Sequence, residues 1–204
     1  MNLINQPLTA AGKQPIDTAE LLGRYAAGER DFKNVSLSGA ELSGACLSGI
    51  DLSRADLSGA NLTHATLRTV NLSEANLSGA NLSKANLFGA FLSGADLSQA
   101  VLTAAHLAEA DLSGALLVEA DISNAVLHLT CLSEANLQAS NLTAASMSGA
   151  RLWKANLCDA NLQGADLCDA TLCEANLCGA NLELTDLSEA VLTGAIMPND
   201  DTHN

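Results

Sequence analysis

A chain of 204 residues with 48% apolar but only 2% aromatic side chains and a net charge of −14 has the length of one domain, and its core must be built from small aliphatic groups. The acidity disfavours direct nucleic-acid binding. No stretch approaches the roughly 18 consecutive apolar residues of a membrane helix, the N-terminal MNLINQPLTAAGKQPI has neither the basic start nor the apolar run of a secretory leader, and the six cysteines lack the paired spacing of a disulfide framework, so a cytoplasmic protein with reduced thiols is expected.

Taken in chain order, residues 1–16 form an N-terminal extension to which the sequence assigns no position. Residues 17–30 read as a capping helix. Asp17 with Glu20 three residues on is a capping box, Pro15 stands just before it, Leu21, Leu22 and Tyr25 share one face, and Gly28 ends the run, which predicts a helix near 18–27. Its apolar face is expected to cover the start of the next segment, where Phe32 and Val35 are bulkier than their later counterparts. An uncovered end would expose apolar core and unpaired strand edges.

From Phe32 to Met197 every fifth residue is a large apolar one, 30 Leu, one Phe, one Ile and two Met, with no insertion to break the phase. Calling that position i, the residue at i−2 is Ala in 27 of 33 cases from 35 to 195, the exceptions being Val35, Ile50, Val70, Thr130, Ser140 and Thr185. Asn or Asp dominates at i−1, Ser or Thr at i+1, and every glycine after Gly28 stands at i+2. A period of five fits neither a helix, around which successive leucines would step by about 140°, nor a flat strand, on which they would alternate faces. The conflict vanishes if the chain turns a corner once per five-residue word, so that i and i−2 always point inward. That is a solenoid. Asn, Asp, Ser and Gly make turns through side-chain bonds to local backbone and tolerance of positive φ. Proline, which cannot donate to a coil-to-coil ladder, is absent from residues 16 to 197. Residues 31–197 are therefore the repeat domain, and 198–204 are a polar tail. No helix comparable to 17–30 covers the C-terminal end, which leaves the last coil open to weak end-to-end self-association.

Tandem words such as ANLSG at 75–79 and ANLSK at 80–84 resemble the pentapeptide-repeat family, over about four-fifths of the chain. The resemblance implies an all-β solenoid, a right-handed quadrilateral β-helix with four words per coil. The repeat then makes about eight coils of about 20 residues, and at ~4.8 Å per coil a rod roughly 40 Å long. The flanks LLGRYAAGERDF at 21–32 and LTGAIMPNDDTHN at 192–204 resemble those of cyanobacterial members, one of them implicated in heterocyst differentiation.

An enzyme needs convergent acids, bases or nucleophiles in a concave pocket, and a packed column of Leu and Ala leaves none. No catalytic residue, metal site or cofactor is expected. With the implied coil, outward residues stack in columns at 20-residue spacing, and three sets depart from the repeat. Cys158, Cys168, Cys173 and Cys178 stand at i+1 in the place of serine, with Cys158 and Cys178 one coil apart in one column. They project side by side without metal-site spacing and read as tolerated serine substitutes, while Cys46 and Cys131, at i−1, have no stacked cysteine. The second set is acidic: after Lys154 there is no Lys or Arg, and Asp159, Asp166, Asp169, Glu174, Glu183, Asp186, Glu189, Asp200 and Asp201 follow. Such a surface keeps a stackable rod soluble. By resemblance to pentapeptide-repeat proteins that inhibit DNA gyrase, it also admits a duplex-DNA mimic, although the acids spread over several columns and the dimerising C-terminal helix of those inhibitors has no counterpart.

The third set is apolar. Phe88 falls on the column of Ala108 and His128, His106, Val126 and Leu129 lie on the same side, Phe91 and Val101 flank it, and Arg151, Trp153 and Lys154 form a smaller exception on the side of Phe91 and Cys131. A regular repeat has no structural reason to place aromatic and branched residues outward. Phe88, Phe91, His106, Val126, His128, Leu129, Arg151 and Trp153 are therefore the candidate protein-binding patch. The expected function is non-enzymatic: a rigid rod presenting one side to an unidentified protein partner, binding neither nucleic acid nor membrane, with a regulatory role in a cyanobacterium implied by resemblance alone. The alternative is an acidic DNA-mimicking modulator of gyrase or another topoisomerase.

Overall fold

The computed structural model describes residues 14–199 and 201–203. Each word from Leu37 to Leu192 closes a β-turn in which the carbonyl of the residue at i accepts the N–H three residues on, as Leu52 does from Ala55 at 3.0 Å. The third turn residue, i+2, is left-handed in every word from Asn34 to Gly194, as a type II turn requires. Glycine is the cheap occupant, yet 21 of these positions hold other residues, Thr69 at φ +51° and Leu129 at +57° among them. A Cβ in that region costs roughly 1–2 kcal/mol. The turns persist because both of their arms are locked to neighbouring coils.

The lock is a parallel ladder with a 20-residue step. Asp31 bridges Asp51, Asp51 bridges Asn71, Asn71 bridges Phe91, and the same step recurs as far as Asn176 and Ile196. Leu52 N–H donates to the Asn71 carbonyl at 2.7 Å, and Asn71 N–H returns to the Ile50 carbonyl at 2.9 Å. Four words therefore complete one coil, and words 20 residues apart share one side of the rod. A corner every five residues leaves most pairings one residue long. The longer pairing is that of β1 (Gln14–Pro15) with β2 (Val35–Ser36), which run parallel.

The word's other letters follow from this geometry. Leu at i and Ala at i−2 point into the axis, where Leu57, Ala60, Leu87 and Leu157 are fully buried. Asn or Asp at i−1 accepts the N–H of i+1, as Asp51 Oδ1 does from Ser53 at 3.0 Å. Its amide also reaches the coil before, Asn156 Nδ2 donating to Asn136 Oδ1 at 3.0 Å. Among the described residues two polar side chains are sealed in the interior: the Thr130 hydroxyl donates to the Leu107 carbonyl at 2.9 Å, whereas the Ser140 hydroxyl has no partner there.

Helix α1 (Thr18–Ala26) closes the N-terminal end. Asp17 is its N-cap and accepts the Glu20 N–H at 2.7 Å, while Glu20 turns its carboxylate to Arg24 at 3.1 Å instead of back to the cap. Leu21 is fully buried, and Tyr25 packs on the core and donates its hydroxyl to the Ser48 carbonyl at 2.9 Å. Leu22, expected on the same face, is exposed. The reason is helical spacing: Leu21 and Tyr25 are four residues apart and align, whereas Leu22 is rotated by about 100°. At the other end the tail turns back. Ile196 bridges Thr202 antiparallel, Gly194 N–H donates to the His203 carbonyl, and His203 N–H donates to the Ala195 carbonyl, both at 2.8 Å. The polar tail is thus a partial cap over one side of the last coil.

Candidate protein-binding face

The side made of words 66–70, 86–90, 106–110 and 126–130 breaks the pattern of small polar surface residues. Its outward residues stack by the 20-residue ladder, Asn86 bridging His106 and His106 bridging Val126. The Phe88 ring lies 5.9 Å from that of His106, nearly parallel at 28°. On its other flank the Arg68 guanidinium sits 4.6 Å from the Phe88 centroid. Three coils thus contribute one stack, Arg68, Phe88 and His106. His106 is half-buried, and its Nδ1 is sealed without a hydrogen-bond partner. His128 is exposed and its Nε2 lies 3.1 Å from Ser146 Oγ.

The expected residues are not equally available. Phe91 and Leu129 are 52% and 57% exposed, whereas Phe88 and Val126 are half-buried, and Ala108, which heads the gap between Phe88 and His128, is buried. Leu129 leans over Gly149, where an added Cβ would come within 2.8 Å of its Cδ2. Phe91 stands around the corner from Phe88 and walls a shallow hollow of about 420 Å³ lined also by Gly49, Ile50, Asp51, Thr69, Asn71 and Ser73. Burial raises the Asp51 carboxyl, but hydrogen bonds from Ser53 and Asn71 and the nearby Lys33 outweigh it and hold the group below its usual value.

Arg151 and Trp153 do not join this strip. The ladder runs Phe91, Asp111, Cys131, Arg151, which puts Arg151 three coils from Phe91, roughly 14 Å along the axis. Lys154 Nζ lies 4.4 Å from the Trp153 ring centroid and 3.4 Å from Glu174. The Cys131 thiol, raised by burial, is pulled below its usual value overall by hydrogen bonds from Ser113, Ser133 and Arg151. Cys158 and Cys178 occupy neighbouring coils, Asp159 N–H donating to the Cys178 carbonyl at 2.8 Å, and each accepts serine's role in the turn by donating its own N–H to Asn156 or Asn176. Among the described residues no group of three metal-ligating side chains forms, and no helix is long and apolar enough to cross a membrane.

Two features of the surface escape the apolar reading of the sequence. Arg68 enters through its stack on Phe88, which the 20-residue register alone would have revealed. Leu116, 43% exposed, stands on the opposite side with the half-buried Val118 two residues on, and would have been found by the rule that i−1 should be Asn or Asp.

The pentapeptide-repeat profile, "Pentapeptide repeats", matches in eight copies over residues 31–54, 36–73, 55–94, 70–103, 95–138, 135–172 and 172–199. Among solved structures, HetL, a pentapeptide repeat protein involved in heterocyst differentiation regulation from the cyanobacterium Nostoc sp. strain PCC 7120, is 35% identical, with a TM-score of 0.56 over 92% of this chain and 100% of that one. A pentapeptide repeat protein of the Arabidopsis thaliana thylakoid lumen is 34% identical over 56% of this chain and 66% of that one, with a TM-score of 0.22. Full-length QnrB1, a plasmid-mediated fluoroquinolone resistance protein, is 18% identical over 85% of this chain and 88% of that one, with a TM-score of 0.39. No curated protein sequence matches. The likeness to HetL implies a right-handed quadrilateral β-helix for the coils described above.

Proposed function

This chain belongs to the pentapeptide-repeat family, and on that premise we propose that it is a non-enzymatic interaction protein. It is a capped rod of about eight coils that presents the side bearing Phe88, Phe91, His106, Val126, His128 and Leu129 to a protein partner. The observation that carries the reading is the exposure of Phe91 and Leu129, 52% and 57%, on a surface where the repeat otherwise places Asn, Ser and Gly. Apolar groups clustered on a rigid polar rod are the usual anchors of a protein interface. Similarity to HetL, which is involved in heterocyst differentiation regulation, supports a regulatory role in a cyanobacterial cell.

The test is the pair Phe91→Ser and Leu129→Ser in one chain, used as bait in a cyanobacterial lysate beside the wild type. The double variant should melt within a few degrees of wild type and lose a protein that the wild type retains. An identical set of captured proteins from both baits sinks the proposal. The acidic C-terminal half, where Asp159, Asp169, Glu174, Glu183, Asp186 and Glu189 are exposed and no Lys or Arg follows Lys154, supports a second reading as a DNA mimic. Inhibition of gyrase supercoiling that disappears at high salt is its signature.

A further inference from the structure

We infer that the lateral face takes an acidic, apolar peptide segment in extended form, with a carboxylate on Arg68 and an adjacent bulky apolar side chain in the hollow under Phe91. The inference rests on the partner-binding reading above and names the partner's chemistry.

The argument begins with charge. In a chain of net charge −14, four of the eight described cations have a carboxylate partner, Arg24 with Glu20 and Glu29, Lys33 with Asp31 and Asp51, Arg54 with Glu74 and Lys154 with Glu174, while Arg30, Arg68, Lys84 and Arg151 have none. Arg68 is exposed, has no carboxylate within 4.0 Å among the described residues, and rests on the Phe88 ring. Stacking fixes the plane of a guanidinium and leaves its edge donors outward, the geometry that accepts a carboxylate in bidentate fashion. His106 lies against the same ring, its own ring 5.9 Å from that of Phe88.

The hollow supplies the second contact: Phe91 is its exposed apolar wall, and its polar lining is Asp51, Thr69, Asn71 and Ser73. Gly49 and Ile50 also line it, and Asp51 within it already holds the Ser53 N–H and faces Lys33 at 3.6 Å. Thr69, consecutive with Arg68, joins the two halves. It is β-branched and held at φ +51°, its hydroxyl on the Arg68 carbonyl at 2.7 Å. Side chains two apart in an extended segment share a face at about 7 Å, and the inferred segment carries its acid and its apolar residue in that relation.

The probe is a phage-displayed random peptide library panned on the full chain, followed by fluorescence anisotropy of the enriched peptides. Those peptides should pair Asp or Glu with Leu, Ile, Phe or Trp close by, and should weaken about tenfold or more with Arg68→Glu and with Phe91→Ser, while Arg68→Lys retains part of the affinity. Melting temperatures of the variants should match wild type, since the Arg68 side chain makes no ion pair. Absence of enrichment, enriched peptides without acids, or affinities indifferent to Arg68→Glu overturn the inference. So does Arg68-dependent binding of an oligonucleotide or of vesicles containing phosphatidylglycerol in place of peptide. A cellular partner lost with Phe91→Ser and Leu129→Ser but kept with Arg68→Glu would sink the acidic segment and leave the binding face standing.

Discussion

The two ends of the rod carry the same inward-pointing letters and treat them differently. At the N-terminal end Phe32 is 1% exposed beneath α1, whose Leu21 is fully buried. At the C-terminal end Leu182, Leu187, Leu192 and Met197 are only partly buried. Among the described residues the N–H groups of Leu182, Leu187 and Leu192, which elsewhere donate to the next coil, have no backbone acceptor. The word therefore decides which way a side chain points, while burial is delivered by the neighbouring coil or by a cap, as expected of a quasi-one-dimensional fold.

The strongest way to break this comparison is to strike the middle. Leu112→Asp puts a charge into a sealed aliphatic column without partner or water, a cost of several kcal/mol, and should abolish the thermal transition seen by circular dichroism. Hydrogen exchange should then show both ends unprotected together. Persistence of a protected N-terminal half would instead mean that the ends fold independently and differ for local reasons. Ser113→Ala, one residue on and facing outward, should cost ~0.5 kcal/mol or less. Equal losses for Leu112→Asp and Ser113→Ala would overturn the inward and outward assignment.

Matched substitutions at the ends sharpen it. Leu21→Ala should destabilise by about 2–4 kcal/mol, because it opens a cavity between helix and first coil. Leu187→Ala should cost about 1 kcal/mol, since the side chain is already partly in water. Chemical denaturation checks both, and a Leu187→Ala cost as large as that of Leu21→Ala would show that the last coil is covered in solution, by a second copy or a partner.

Acid extends the comparison to polar groups. At mid-rod, partial burial raises the Asp121 carboxyl, but hydrogen bonds from Ser123, Thr103 and Asn141 outweigh it and leave the group below its usual value. On the last coil the Ser188 hydroxyl and N–H hold Asp186 down against slight desolvation. Both values are lower folded than unfolded, so each group stabilises the fold above the unfolded carboxylate value of about 4, and that contribution vanishes as pH falls through the lower folded value. Asn in place of either should reduce the loss of melting temperature between pH 5 and pH 2. Asp121→Asn should reduce it more, because solvent screens the exposed site. The reverse ranking would place the terminal coil on a par with the middle.

Much of this was legible from five-residue spacing. A slip of one residue would exchange Leu for Ser throughout, so the inward set Leu57, Ala60, Leu62 could be read without ambiguity, and the capping role of Asp17 followed from its distance to Glu20. The left-handed turns were only half legible. Gly59 announces one, but Glu74 and Lys84 adopt the same φ because neighbouring coils impose it. Leu22 was misplaced because one step along the helix rotates it by about 100° from the stripe that Leu21 and Tyr25 share. In the binding face, Phe91 and Leu129 stood out as misspellings of the word, whereas Arg68 did not, since a basic residue at i+1 is unremarkable until the register sets it against Phe88. The tail hairpin had no periodic signal at all.

The finest comparison uses one bond made twice. Thr130 Oγ1 donates to the Leu107 carbonyl at 2.9 Å, and Thr185 Oγ1 to the Leu162 carbonyl at 2.8 Å, across the same sequence separation of 23 residues. Thr130 is fully buried; Thr185 lies on the partly covered last coil. Valine preserves the shape and removes the hydroxyl. Each carbonyl keeps its turn bond, from Ala110 and Ala165, so neither substitution strands an acceptor completely, and the loss is the net value of one hydrogen bond, about 1 kcal/mol in a sealed site. At Thr185 water can replace the hydroxyl, and the loss should fall below about 0.5 kcal/mol. Ser140 sets the zero of this scale: its hydroxyl is sealed without a partner, so Ser140→Ala removes a desolvated donor and should be neutral or stabilising by up to about 1 kcal/mol. Denaturation midpoints of the three single variants should therefore order as Ser140→Ala, Thr185→Val, Thr130→Val, from most to least stable. Equal losses at Thr130 and Thr185 would mean that the terminal coil excludes water as well as the middle does, and the contrast between the covered and uncovered parts of the rod would have to be abandoned.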